Sequence, residues 1–190
     1  MSSNYCFDKT FTKINFSIEN LAFNEFEQCT FSNCELNNID LSDIKFINCS
    51  FIDCNLSNVQ LINTSLQDVE FKHCKMIGFN MDEINQFGLK VSFTKCNLNE
   101  SSFYEAPLKN TKFTECLLEN VDFSMANLSY SSFNDCNLNH AIFSGTDLCY
   151  SNLKSAYNFD IDPTKNKLKH AKFSKENLIG LTYNFGIKVE

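Results

Sequence analysis

Cys29-Thr30-Phe31-Ser32-Asn33-Cys34-Glu35-Leu36-Asn37-Asn38-Ile39-Asp40-Leu41-Ser42-Asp43-Ile44-Lys45-Phe46-Ile47-Asn48 is four copies of one five-residue pattern. A large apolar residue recurs at every fifth position: Phe31, Leu36, Leu41, Phe46. Two residues before each stands a small or β-branched one: Cys29, Cys34, Ile39, Ile44. Outward from this stretch the same rhythm runs from Phe11 to Met81, and again from Phe93 to Leu153. Period five is neither the 3.6 of a helix nor the 2 of a flat strand. It suits a chain that turns a corner every five residues. Self-similarity at a fixed period is the mark of a solenoid, in which each unit buries its apolar face only by stacking on its neighbours.

The number of units in one coil can be read from the columns. If a coil takes ~20 residues, residues that far apart lie over one another at about the 4.8 Å spacing of paired strands. Like residues then form columns. Phe31, Phe51 and Phe71 make one, Leu36, Leu56 and Met76 another, and Cys34, Cys54 and Cys74 a third. Further along, Phe93, Phe113 and Phe133 align, as do Leu98, Leu118 and Leu138, and Cys96, Cys116 and Cys136. Met81 and Phe93 are 12 positions apart where two units need 10. If two residues bulge outward, Phe93 lands over Phe71 and Cys96 over Cys74, and both columns continue. A small bulge is therefore expected within residues 85–89, with Gly88 supplying permissive backbone angles.

Units such as Ala126-Asn127-Leu128-Ser129-Tyr130 and Thr146-Asp147-Leu148-Cys149-Tyr150 resemble the pentapeptide-repeat family. The resemblance covers most of the chain. It implies an all-β fold, a right-handed quadrilateral parallel β-helix with four pentapeptides per coil. In that family the central Leu or Phe and the small residue two before it point inward, and the other three face outward. About 28 units make about seven coils, a rod roughly 34 Å long at ~4.8 Å per coil.

The chain has 190 residues and reads as one domain sharing one core. Residues 1–10 are expected to cap the first coil, 11–153 to form the β-helix, and 154–190 to form a C-terminal cap. In the last segment Ser174 suits a helix N-cap, with a short helix over about 175–184 ending near Gly186. Leu178, Leu181 and Phe185 lie on one side of that helix. They either cover the last coil or form a candidate homodimer interface, and Ile187 and Val189 could add a short edge strand. No leader segment and no apolar run long enough for a membrane span is evident.

Of ten cysteines, eight (Cys29, Cys34, Cys49, Cys54, Cys74, Cys96, Cys116, Cys136) fall in the small inward slot. There they act as compact apolar filler. No C-x-x-C occurs and the three histidines are scattered, so no metal or other cofactor is expected. Reduced, buried thiols point to the cytoplasm. Walker, G-x-G-x-x-G, H-E-x-x-H and G-x-S-x-G motifs are absent, and Glu35, Asp53, Glu70, Glu105 and Asp135 fall on outward positions of a filled rod. The chain does not read as an enzyme. Asn55, Asn97 and Asn137 share one outward position and suggest a polar ladder, and Pro107, in the same slot of another face, lacks the N–H a ladder needs.

The formal charge is −7. Lys residues form no evident stripe along the sequence, so direct nucleic-acid binding is not expected. The resemblance implies a different relation to DNA, since some family members bind type II topoisomerases in its place. DNA gyrase or topoisomerase IV is then the implied protein partner, in the manner of the quinolone-resistance members. Averaged over the rod, the net charge is only about one per 5 Å, against one per ~1.7 Å of duplex axis. The alternative is a structural or scaffolding protein with another partner.

Overall fold

The structure is a computed structural model that describes residues 4–19 and 21–187. Parallel pairing begins with Tyr5–Phe7 on Glu25–Glu27, and the central register places Phe11 on Phe31, Phe31 on Phe51 and Phe51 on Phe71. Two sheets result, one of four strands and one of seven, and isolated parallel bridges continue the stack as far as Asn152 on Lys172. Each coil has four faces. In chain order they are centred on Phe31 (first face), Leu36 (second), Leu41 (third) and Phe46 (fourth).

The two inward slots fill the rod. Phe31, Phe51, Phe71, Phe93, Phe113 and Phe133 are buried and stack ring on ring, with centroids 4.6–5.3 Å apart. From the opposite, third face Phe103 and Phe123 meet them edge-on at about 6 Å. Leu98, Leu118, Leu138 and the Cys34, Cys54, Cys74, Cys96, Cys116, Cys136 column are buried on the second face. The small slot does more than fill space. Cys49, Cys54, Cys74 and Cys116 each direct the thiol at a central carbonyl of the coil below, 3.4–3.5 Å away. Thr64 and Thr146 hydroxyls donate the same bond at 2.8 and 2.9 Å. A small side chain with a weak donor thus serves both packing and an otherwise idle carbonyl lone pair.

The corners explain the outward composition. The residue two after most central ones sits in the left-handed region, from Asp8 (φ 51°) through Asn58 (φ 53°) and Glu105 (φ 55°) to His170 (φ 61°). That conformation favours Asn, Asp and Gly. The residue just before the centre is often Asn or Asp because its side-chain oxygen accepts the N–H two residues on, as in Asn55 to Ser57 (3.2 Å), Asn97 to Asn99 (3.1 Å) and Asn137 to Asn139 (3.3 Å). Asn55, Asn97 and Asn137 therefore close their own turns. Pro107 interrupts pairing as its missing N–H requires: bridges on the fourth face reach Ser65 on Asn85 and resume at Asn127 on Asp147.

The coil absorbs its two extra residues after Asn85. Ser65 pairs with Asn85, but Val69 pairs with Val91 and Phe71 with Phe93, a register longer by two. Gly88 sits there with φ 68°, and Leu89 packs on the core while Phe87 projects outward. At the N-terminus Tyr5, Cys6 and Phe7 form a rung of the stack itself, with buried Cys6 beneath Phe26.

The C-terminal segment differs from the single helix expected over 175–184. It forms two 3-10 helices, Leu178–Leu181 and Tyr183–Phe185, closed by Gly186 in the left-handed region. Gly180 is pressed onto Phe159, with no room for a Cβ, and its carbonyl accepts from Ile161, which fixes the turn against the last coil. Ser174 does begin the segment, exchanging hydrogen bonds with Asn177. The Asn177 amide then plugs the coil end by donating to the Leu153 and Ala156 carbonyls. Ile187 is in no strand, and Val189 lies outside the described residues. Among the described residues no helix is long and apolar enough to cross a membrane.

Candidate interaction surface

The pitch sorts the charges by face, which the linear sequence hides. Lys9, Lys13, Lys72, Lys95, Lys112, Lys154, Lys172 and Lys175 all lie on the first face, so half of the sixteen lysines share one side of the rod. The reading of lysines as unclustered does not hold once residues twenty apart are stacked. Across the rod the third face (19–23, 39–43, 59–63, 79–83, 101–105, 121–125 and 141–145) carries Glu19, Asp40, Asp43, Asp82, Glu83, Glu105 and Asp122, and no Lys or Arg; Lys165, paired with Asp162, stands only on the rung beyond these.

Pairing sharpens this contrast. On the first and fourth faces carboxylates meet lysines, Glu25 with Lys45, Glu70 with Lys72, Asp68 with Lys90, Glu115 with Lys95 and Asp147 with Lys167, and Asp53 lies beside the His73 ring. Among the described residues, none of the third-face carboxylates is in an ion pair. Neutral donors hold them instead. Asp43 accepts from the Asn63 amide at 2.7 Å, Asp82 from the Ser102 hydroxyl at 2.6 Å, and Asp122 from the Ser124 N–H at 2.8 Å. On the adjoining part of the second face, Glu100 and Glu119 accept from Asn120 (2.7 Å) and Asn139 (2.8 Å). Such bonds orient the carboxylates without neutralising them. One of the carboxylates also acts on its neighbour: a hydrogen bond with Glu105, and its charge, hold the Tyr104 phenol above its ordinary value.

Local density is much higher than the whole-chain average. From Glu19 to Asp122 is five coil steps, roughly 24 Å, so seven carboxylates make about one charge per 3.4 Å, the spacing along one strand of DNA. The coil of Gln60 and Asn63 carries none, which divides the stripe into two groups.

The repeat geometry is matched by a family description. A family model described as a pentapeptide repeat region covers residues 24–86 and 89–185, broken only at the bulge. The chain belongs to the pentapeptide-repeat family. Among solved structures of this family's architecture, a trypsin-treated variant of QnrB1, a plasmid-mediated fluoroquinolone resistance protein, is 20% identical with a TM-score of 0.64 over 97% of this chain and 99% of its own. A second such variant is 18% identical with a TM-score of 0.65, over 98% and 100%. HetL, a pentapeptide repeat protein involved in heterocyst differentiation regulation from the cyanobacterium Nostoc sp. strain PCC 7120, is 16% identical with a TM-score of 0.50, over 88% and 86%. At these identities the likeness is one of fold. No curated protein matches the chain.

The remaining candidate residues separate by position. The stacked Phe, Leu and Cys columns are sealed inside, where they set shape and offer no contact surface. Burial pushes the Cys34 thiol up, and the Cys49 thiol up to about 12, so these sulfurs stay protonated and unreactive. All ten cysteines are free thiols. Among the described residues no group of three His, Cys, Asp or Glu could hold a metal ion. At the C-terminus Leu181 packs on the core, whereas Leu178 and Phe185 are about half exposed, beside exposed Ile179, Tyr183 and Ile187.

Proposed function

We propose that this pentapeptide-repeat protein is a non-catalytic binding rod. Its third face, with the adjoining carboxylates of the second, docks in a cationic groove of a protein that otherwise holds DNA, and a type II topoisomerase, gyrase or topoisomerase IV, is the candidate. One observation carries the reading: seven carboxylates on one rigid face, at single-strand density, with no cation among them. A groove built for phosphates would meet charges spaced by the coil at multiples of ~4.8 Å, pre-ordered at little entropic cost. The apolar cluster of Leu178, Ile179 and Phe185 supports a second element of the proposal, association of two rods through their C-terminal turns, which would double the acidic length.

The test is supercoiling and fluoroquinolone-stabilised cleavage by gyrase across a titration of the protein. Inhibition or protection at low micromolar protein is expected, and its loss when Asp82→Asn, Glu83→Gln and Glu105→Gln are combined. No effect at large excess, or full effect from that variant, would refute it for the enzyme tested. The lysines of the first face favour the second reading, a scaffold with a different partner, and capture of one with indifference to the acidic variant would establish that instead.

A further inference from the structure

The edge between the fourth and first faces lies diagonally across the rod from the acidic one, and its C-terminal half carries lysines and stacked rings. At its crest Tyr130 stacks on Tyr150 (4.7 Å, 4° between planes), and Tyr150 on His170 (4.8 Å). All three are exposed. Lys109 lies 5.3 Å over the other side of the Tyr130 ring. Lysines flank this crest on both sides. Lys109 and Lys169 stand on the fourth face and Lys112 and Lys172 on the first, with Lys154 farther away, past the centre of the first face. None of these five is in an ion pair among the described residues. The intervening flank positions, Ser129, Ser132, Cys149 and Asn152, carry no carboxylate.

We propose that this edge binds the backbone of duplex nucleic acid, crest toward a groove and lysines to the phosphates on either rim. Three features select that ligand. The lysine pairs at Lys109/Lys112 and Lys169/Lys172 are three coils apart, roughly 14 Å, so the contact follows an extended polyanion rather than a single phosphate. The surface is convex with cations on both flanks, which matches two phosphate rows bordering a groove about 12 Å wide. A single strand is held instead in concave channels by stacking bases on aromatic faces. Here the faces of Tyr130 and Tyr150 are occupied by each other, by Lys109 and by His170, and only ring edges and phenol hydroxyls point outward. The stacked phenols and lysines would donate to phosphate oxygens and read no sequence. The binding is weak and salt-sensitive, since the protein as a whole is anionic. With the acidic edge turned the other way, one rod could hold a cationic protein groove and a duplex together.

The test is fluorescence anisotropy of a short labelled duplex with the full chain at low salt, followed by a salt titration. Binding is expected, with a log–log salt slope of about −4 for four to five lysine–phosphate contacts. Combining Lys109→Gln, Lys112→Gln, Lys169→Gln and Lys172→Gln should weaken it at least tenfold while leaving the thermal melt in place. Lys75→Gln, on the second face, should leave it unchanged. Absence of binding at low salt, or equal binding by the fourfold variant, would overturn the proposal. So would tighter binding of single strands or of a sulfated polysaccharide than of the duplex. The acidic-face variant should bind the duplex at least as well as the parent, so failure here and failure of the topoisomerase reading are separate outcomes.

Discussion

Replacing Phe113 by Ala should cut the rod in the middle. Phe113 is fully buried, lies nearly parallel to Phe93 (5.2 Å) and Phe133 (4.9 Å), and meets Phe103 and Phe123 edge-on at 6.1 and 6.0 Å. Truncating a buried Phe costs about 3–5 kcal/mol, most where the site cannot collapse. It cannot collapse here, because Lys112–Thr114 is fixed by ladders to the strands above and below. A loss near 5 kcal/mol is expected, a fall in melting temperature of roughly 10–20 °C for a chain of this size. Phe11→Ala is the control. Phe11 is only partly buried and has one stacked ring neighbour, Phe31, so about half that loss is expected. Because each coil touches only its neighbours, breaking a central one should also uncouple the two halves. Urea denaturation followed by circular dichroism and by tyrosine fluorescence should therefore show a broadened transition with non-coincident probes for Phe113→Ala and a single shifted one for Phe11→Ala. A loss below about 1.5 kcal/mol, or equal losses at the two sites, would refute the stacked-column account.

The thiols offer a second check: under native conditions a disulfide-exchange reagent should modify Cys149, the one half-buried cysteine, well ahead of the nine buried ones, and all ten should react at once in denaturant. Tyr5 offers a pH test. Its hydroxyl donates to the Glu27 carboxylate at 2.7 Å, which holds the phenol up to about 12. The folded value lies above the ordinary 10, so the stabilising contribution is complete below pH ~10 and is lost as pH rises toward 12. Ultraviolet titration should show a phenol titrating near 12, which returns toward 10 in Glu27→Gln.

The interior was legible in the sequence because the pitch is fixed. Phe71 and Phe93 could be aligned across the irregular stretch only if two residues left the coil, and Val69 on Val91 with Phe71 on Phe93 is that register. The ends were less legible. Tyr5–Phe7 carries Cys6 in a slot filled elsewhere by Phe or Leu, so the first rung resembled a cap. The last segment has helical spacing in Leu178, Leu181 and Phe185, but the contact of Gly180 with Phe159 and the turn hydrogen bonds hold it in 3-10 geometry. The charge pattern was present in the sequence but invisible to a net total. The −7 averages over an acidic third face and a lysine-rich first face, whose charges offset one another in the sum but not in space.

Backbone demands also decide which acids can be assigned to binding. Asp40 and Asp122 close their own turns by accepting the Ser42 and Ser124 N–H groups at 2.9 and 2.8 Å. Asp43 occupies a left-handed corner at φ 61°, where Asp is among the favoured residues. Asn would meet all three needs, so the shape of the coil accounts for these residues without any partner. No turn asks for Glu105, whose local partner is the Tyr104 phenol. It stands at φ 55°, a conformation that suits Gly or Asn better than a long side chain, by roughly 1 kcal/mol. Asp82 and Glu83 are exposed, closing no turn through their own carboxylates and pairing with no cation among the described residues. Their charge is what they contribute. If the third face docks in a cationic groove, Asp82, Glu83 and Glu105 are where the affinity resides. Asn at positions 40, 43 and 122 should then weaken docking less than neutralising those three, although each set removes three charges.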